Sequence, residues 1–315
     1  MLDLPFQSSL ENARHILLAG AGGGFDIFAS LPLYFSLINS GKKVSLANLS
    51  FSELRQSSGE HLTPYCVRIT ADSDGSTSYF PEKHLAAFLG TRGDPTCVYT
   101  IPRTGCRPVI AAYHALHEHL QFDTLILVDG GTDSLMRGDE DGLGTPEEDS
   151  ASLIAARSID VPQKFHVCTA LGVDHFHGVS NTHTLEAIAE LTRDGAFRGA
   201  LSFPPQTPEA AFFRAALDYT HERMPRRESI VNSSLRAAID GQFGNYHATT
   251  RTHGSTMAIS PLMAIYWTFQ LNPVADRLLY RNLIRDTETY AQLSLAIETY
   301  RATLPTLRPH TPFLP

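Results

Sequence analysis

Apolar residues gather in short runs at 15–19, 43–49, 65–70, 96–101, 124–128, 164–170 and 197–203, most of them closed by glycine, proline or polar residues. Runs of this length, rich in branched and aromatic side chains, read as strands. Between and after them, segments 26–39, 81–89, 108–120, 145–157, 182–194, 207–222 and 229–240 carry helical spacing. Pro32 inside the first of these predicts a kink or a late start. Thr145, Pro146 and the acids that follow form a strong helix start. Residues 1–13 read as irregular, 50–80 as broken and polar, and the last hundred or so as helix-rich.

Strands alternating with helices predict an α/β fold with a doubly wound, mostly parallel, Rossmann-like sheet. We expect a single domain over 1–315, its core elements at about 14–203 and a helix-rich portion at about 207–304. In such sheets ligands bind at the strand ends where the strand order reverses. Three unusual loops follow strands, at 20–26, 129–145 and 171–181, and would share one rim.

The first loop holds Gly20, Gly22, Gly23 and Gly24, followed by Phe25 and Asp26. Bare backbone N–H groups and close approach suit a phosphate or another polar ligand. Phe25 stands where a dinucleotide fingerprint has its third glycine, and the second strand ends near Asn48 and Ser50 without an acid for a ribose. A nicotinamide dinucleotide is therefore the weaker expectation. The second loop packs eight carboxylates and five glycines into 129–149. Asp129 and Asp133, beside Gly130, Gly131 and Thr132, are the expected working residues, and they would hold Mg²⁺ or Ca²⁺ if a metal binds. Residues 139–141 read as a solvated loop or lid, and 147–149 as the ordinary acidic start of a helix. The third loop offers Asp174 and His175 as a proton-handling pair, with His177 less favoured. Asn245 and His247, further along, suit a sugar or an anion.

Composition narrows the partners. The net charge is -8, and the short arginine group 223–227 is too small for a nucleic-acid stripe. No apolar stretch suggests a membrane span, and no signal peptide is expected at the N-terminus. Cys66, Cys97, Cys106 and Cys168 are scattered, which fits reduced thiols in the cytoplasm and argues against a structural zinc site. A homo-oligomer is left open.

The segments GAGGGFD at 20–26, DGGTDSLMRGDE at 129–140, GTPEED at 144–149 and SLRAAIDGQFGNYH at 234–247 resemble the prokaryotic family catalogued as domain of unknown function 1152, over nearly the whole chain. The resemblance implies a shared architecture and loop constellation, and no reaction. From the residues we expect an enzyme that hydrolyses, or transfers a group on, a small polar metabolite such as a nucleoside, nucleotide or phosphosugar. A non-catalytic nucleotide- or metabolite-binding module is the alternative, and an NAD-dependent oxidoreductase a weaker one.

Overall fold

The computed structural model describes residues 4–75, 78–94 and 96–310. Eleven strands occur among them: β1 His15–Gly20, β2 Lys43–Ser50, β3 Glu60–Thr63, β4 Cys66–Ile69, β5 Val98–Pro102, β6 Thr124–Asp129, β7 Gln163–Cys168, β8 Phe197–Ser202, β9 Gly244–Asn245, β10 Ala258–Ile259 and β11 Ile265–Gln270. The first helices are α1 Pro5–Ser9, α2 Asp26–Ala29, α3 Leu31–Asn39, α4 Pro81–Thr91, α5 Cys106–Leu120 and α6 Pro146–Ser158. They are followed by α7 Asn181–Arg193, α8 Pro208–Arg223, α9 Ile230–Ile239, α10 Leu271–Asp276, α11 Arg281–Ile284 and α12 Tyr290–Ala302.

Nine strands form one sheet in the order β3-β4-β5-β2-β1-β6-β7-β11-β8. Its centre, β5-β2-β1-β6-β7, is parallel throughout. Each central strand feeds both faces, because successive side chains alternate. On β1, Leu17 and Ala19 enter one core while Ile16 and Leu18 enter the other. Leu125 and Leu127 of β6 join the first core, and Ile126 and Val128 the second. Helices α5, α6 and α12 cover the first face with Val109, Leu116, Ala155 and Leu293, whereas α3, α8 and α9 cover the other with Tyr34, Phe213 and Leu235. The fold is the mostly parallel α/β sheet with helices on both faces that the pattern predicts.

One local feature is as expected and three differ. The segment 26–39 is two helices divided at Ser30, whose hydroxyl donates to the Ile27 carbonyl at 2.6 Å, which is the kink or late start that Pro32 predicts. Pro32 lies in the first turn of α3, where its missing N–H costs nothing. Residues 5–9, read as irregular, form α1, which buries Phe6. Strand β3 pairs with β4 inside the segment read as broken. The C-terminal portion is not helical throughout: β11 inserts between β7 and β8, antiparallel to both. Its Tyr266, Trp267, Thr268 and Phe269 have the aromatic and branched composition of a strand.

Candidate functional site

Strands β1 and β6 are neighbours, but the chain leaves β1 for β2 on one side and continues from β6 to β7 on the other. The loops that follow them therefore diverge and open a crevice at the carboxyl edge of the sheet. The turn after β1 is shaped by its glycines. Gly23 and Gly24 take φ of 91° and 61°, left-handed values that suit residues without a Cβ. Asn48, buried at the end of β2, donates to the Gly24 carbonyl and to Glu82 Oε1, both at 2.9 Å, and pins the turn. Helix α6 is tied to the same turn because Ser152 Oγ donates to the Ala21 carbonyl at 2.7 Å. That bond brings Asp149, in the first turn of α6, against Gly22. A Cβ on Gly22 would stand 2.8 Å from both Asp149 Oδ1 and Asp26 Oδ2.

Five aspartates gather here: Asp26 at the start of α2, Asp129 at the end of β6, Asp133 in the loop beyond it, Asp149 in α6 and Asp174 in the loop after β7. Four of them are buried, and Asp26 is half-buried. Asp129 accepts from the Gly131 N–H at 2.6 Å and from the Ser134 hydroxyl at 2.5 Å. Asp133 accepts from the N–H and hydroxyl of Thr145 at 2.8 and 2.9 Å. Asp174 accepts from the Thr132 N–H at 2.7 Å, and Asp26 from the Gly22 N–H at 2.6 Å. Asp149 differs: both of its carboxylate oxygens are buried without a hydrogen-bond partner. Oxygens of Asp26, Asp129 and Asp149 lie within 4.8 Å of one another. Among the described residues, none of the five carboxylates has a Lys, Arg or His within ion-pair distance.

Burial and mutual repulsion shape the electrostatics. Burial, and then the Asp129 charge, push Asp26 well above the ordinary carboxylate range. Burial pushes Asp149 and Asp174 well up too, with the Asp133 charge next in each case. Asp129 is pushed up to about 7, by burial first and the Asp133 charge second, against the opposing bonds from Ser134 and Gly131. Behind Asp129, Ser134 Oγ also meets Nε2 of the fully buried His166 at 2.8 Å. Burial pulls His166 down to about 3, so its ring is neutral. With Ser134 donating to Asp129, the ring donates through Nε2 to Ser134. The serine thus stands between histidine and aspartate, unlike the order of a nucleophilic triad.

The structure brings together Asp129, Asp133, Asp174, Asp26, Gly22, Gly130, Gly131 and Thr132 of the residues expected from the sequence. A Cβ on Gly130 would stand 2.9 Å from Asp26 Oδ1, and one on Gly131 2.5 Å from Asp174 Oδ2. The glycine turn differs from the expected phosphate cradle, because Gly22 and Gly24 donate their N–H groups to Asp26 and to the Leu49 carbonyl. Gly23, Gly24 and Asp26 also line a cleft of about 580 Å³, with Phe51, Tyr79 and the exposed Arg227 and Arg251 on its walls.

His175 is not the partner of Asp174. It is exposed in a 3-10 turn, and its ring lies 5.3 Å from that of His310. Neighbouring residues of such a turn project in different directions. Asn245 uses its side chain within the β9–β10 ladder, where Oδ1 accepts from the Met257 N–H, and His247 contacts Thr252 Oγ1 at 3.0 Å. The converging carboxylates pair Asp129 with Asp26 and Asp149 and leave Asp133 outside the set, contrary to the expected Asp129–Asp133 pair.

Two readings of the acidic loop are corrected. Asp149 is more than a helix-start acid, since it faces the cluster. Residues 139–141 are no free lid, because Asp139 is held between Arg137 and Arg308, and Glu140, 1% exposed, accepts from Arg308 at 2.7 Å. The sequence offered Ser134 as a residue that could bond a polar ligand, but its place between Asp129 and His166, and His166 itself, were missed. Ser134 stands in the loop already singled out, which was a usable signal, whereas His166 sits inside an apolar run and offered none.

A family model described as a protein of unknown function, DUF1152, matches residues 60–301. The chain belongs to this family. The DUF1152 match contains Asp129, Asp133, Asp149 and Asp174, and begins after the glycine turn that supplies Asp26. No curated protein matches the chain. No described helix is long and apolar enough to cross a membrane.

Proposed function

We propose that this DUF1152 protein is an enzyme that hydrolyses, or transfers a group on, a small polar metabolite carrying an anionic group, of the nucleotide or phosphosugar class. The observation that supports this reading is an arginine-rimmed cleft at the switch point of the sheet, lined by Asp26, whose carboxylate stands within 4.8 Å of those of the buried Asp129 and Asp149. Buried carboxylates without cationic partners are costly to stability and are a common mark of a working site. Arg227 and Arg251 on the cleft wall suit a phosphoryl group, since guanidinium forks match its oxygens. The carboxylates accept bonds from sugar hydroxyls and orient an attacking water or hydroxyl. A dinucleotide is less well supported, because Asn48, near the place of a ribose-binding acid, is engaged with Gly24 and Glu82.

The test is incubation of the full chain, with Mg²⁺ supplied, with nucleoside phosphates and sugar phosphates, followed by phosphorus NMR and mass spectrometry. Turnover that Asp129→Asn abolishes is the expected result. A ligand that raises the melting temperature and is recovered unchanged would favour the non-catalytic binding module instead.

A further inference from the structure

We infer that Asp26, Asp129 and Asp149 bind one hard divalent cation, Mg²⁺ or Mn²⁺, beside the cleft that Asp26 lines. One oxygen from each lies within 4.8 Å of the others, the spread that ligands around a single small ion occupy. A group of acids alone would not carry this. The second observation is Asp149, 2% exposed, with both oxygens lacking any donor from the protein. A buried ionised carboxylate needs a counter-charge, and no Lys, Arg or His side chain among the described residues supplies one here.

The surroundings are built to hold these carboxylates close. Gly22 leaves room where a Cβ would press on Asp149 and Asp26 together, and Gly130 does the same beside Asp26 Oδ1. Ser152, by holding Ala21, fixes α6 so that Asp149 cannot swing away. The ligand set also selects the ion. Three carboxylates without histidine or thiolate favour a hard cation. Ca²⁺ takes six to eight oxygens, whereas Mg²⁺ is commonly held by a few carboxylates and keeps its waters. The remaining positions would face the cleft, which Asp26 also lines. There they can take water or a substrate oxygen. This deepens the reading above, and only the use of the ion rests on that reading.

The experiment is titration of the full chain with Mn²⁺, followed by electron paramagnetic resonance of the free ion, without substrate. One saturable site displaced by Mg²⁺ is expected. Asp149→Asn and Asp26→Asn should each weaken it by about tenfold or more, the scale on which even outer-shell losses act. Asp141→Asn, an exposed acid of the same loop, should leave it unchanged. If a variant does not fold, Mn²⁺ broadening of the Gly22, Gly130 and Gly131 amide resonances of the unmodified chain locates the ion. No saturable binding at millimolar Mn²⁺, broadening elsewhere, or unaltered binding in folded Asp149→Asn would each overturn the inference. Failure here with turnover intact would sink the metal alone; binding without turnover of any phosphorylated compound would sink the enzymatic reading alone.

Discussion

Replacing Asp149 with asparagine should stabilise the metal-free protein, the reverse of what most buried substitutions do. Asp149 is 2% exposed, its oxygens have no donor, and Asp26 and Asp129 present oxygens within 4.8 Å. Two unit charges about 4.8 Å apart repel by roughly 3.5 kcal/mol at an effective dielectric near 20. Part of that is already relieved, because burial and the neighbouring charges favour the protonated carboxyls. An asparagine amide removes one charge and can donate to the two remaining carboxylates. We therefore expect a net gain of about 1–3 kcal/mol, the scale of an unsatisfied buried group. For a chain of this size that is a rise of roughly 1.5–4.5 °C in melting temperature. The assay is a thermal scan at pH 8 in chelator, repeated in excess Mg²⁺. The natural chain should gain about 2.7 kcal/mol at a hundredfold excess over its dissociation constant, and a variant that binds tenfold more weakly about 1.4 kcal/mol, so the variant's advantage should shrink by about 1.3 kcal/mol. An Asp149→Asn protein that is the less stable one in chelator, or that gains as much from Mg²⁺, would refute the reasoning.

Gly22→Ala places a methyl 2.8 Å from Asp149 Oδ1 and Asp26 Oδ2. It should cost about 1–3 kcal/mol by overpacking, read by denaturant unfolding, and should weaken Mn²⁺ binding. Ser134→Ala removes the hydroxyl shared by Asp129 and His166. A loss of about 1–3 kcal/mol in the same assay is expected, because His166 Nε2 is left unpaired and Asp129 keeps only its backbone N–H donors. Arg308→Ala tests the strap over the acidic loop. Burial opposes it, but bonds and charge from Arg137 and Arg308 hold Asp139 below the ordinary carboxylate range. A depressed folded-state value stabilises above the unfolded one and is lost as pH falls through the folded one. Stability of the natural chain should therefore exceed that of Arg308→Ala by about 1.5–3 kcal/mol at neutral pH, and the gap should narrow below about pH 4. An unchanged gap from pH 7 to pH 3 would remove Asp139 from that account.

Strand runs were legible where a central strand is buried on both faces and reads as an unbroken apolar segment, as with Leu125, Ile126, Leu127 and Val128. Asp129 was legible for the same reason, standing as the first charge after such a run. Asp149 was not. Acids in a first helical turn are ordinary, and what makes this one unusual is contact with a turn more than a hundred residues earlier, through the Ser152–Ala21 bond. His175 misled because an acid beside a histidine suggests a pair, whereas the 3-10 turn buries Asp174 and turns His175 outward. Residues 139–141 looked solvated because their partner Arg308 lies near the far end of the chain. Strand β11 was hidden in a helix-rich stretch, although the run of Ile265, Tyr266 and Trp267 has strand composition.

The carboxylate cluster as a catalytic centre is tested most directly by incubating the full chain with a metabolite extract and Mg²⁺, beside the Asp129→Asn variant. Mass spectrometry of the small molecules reads the outcome. The account expects at least one anionic polar metabolite to be converted by the natural chain and left intact by the variant. Identical metabolite profiles from the two proteins would contradict it.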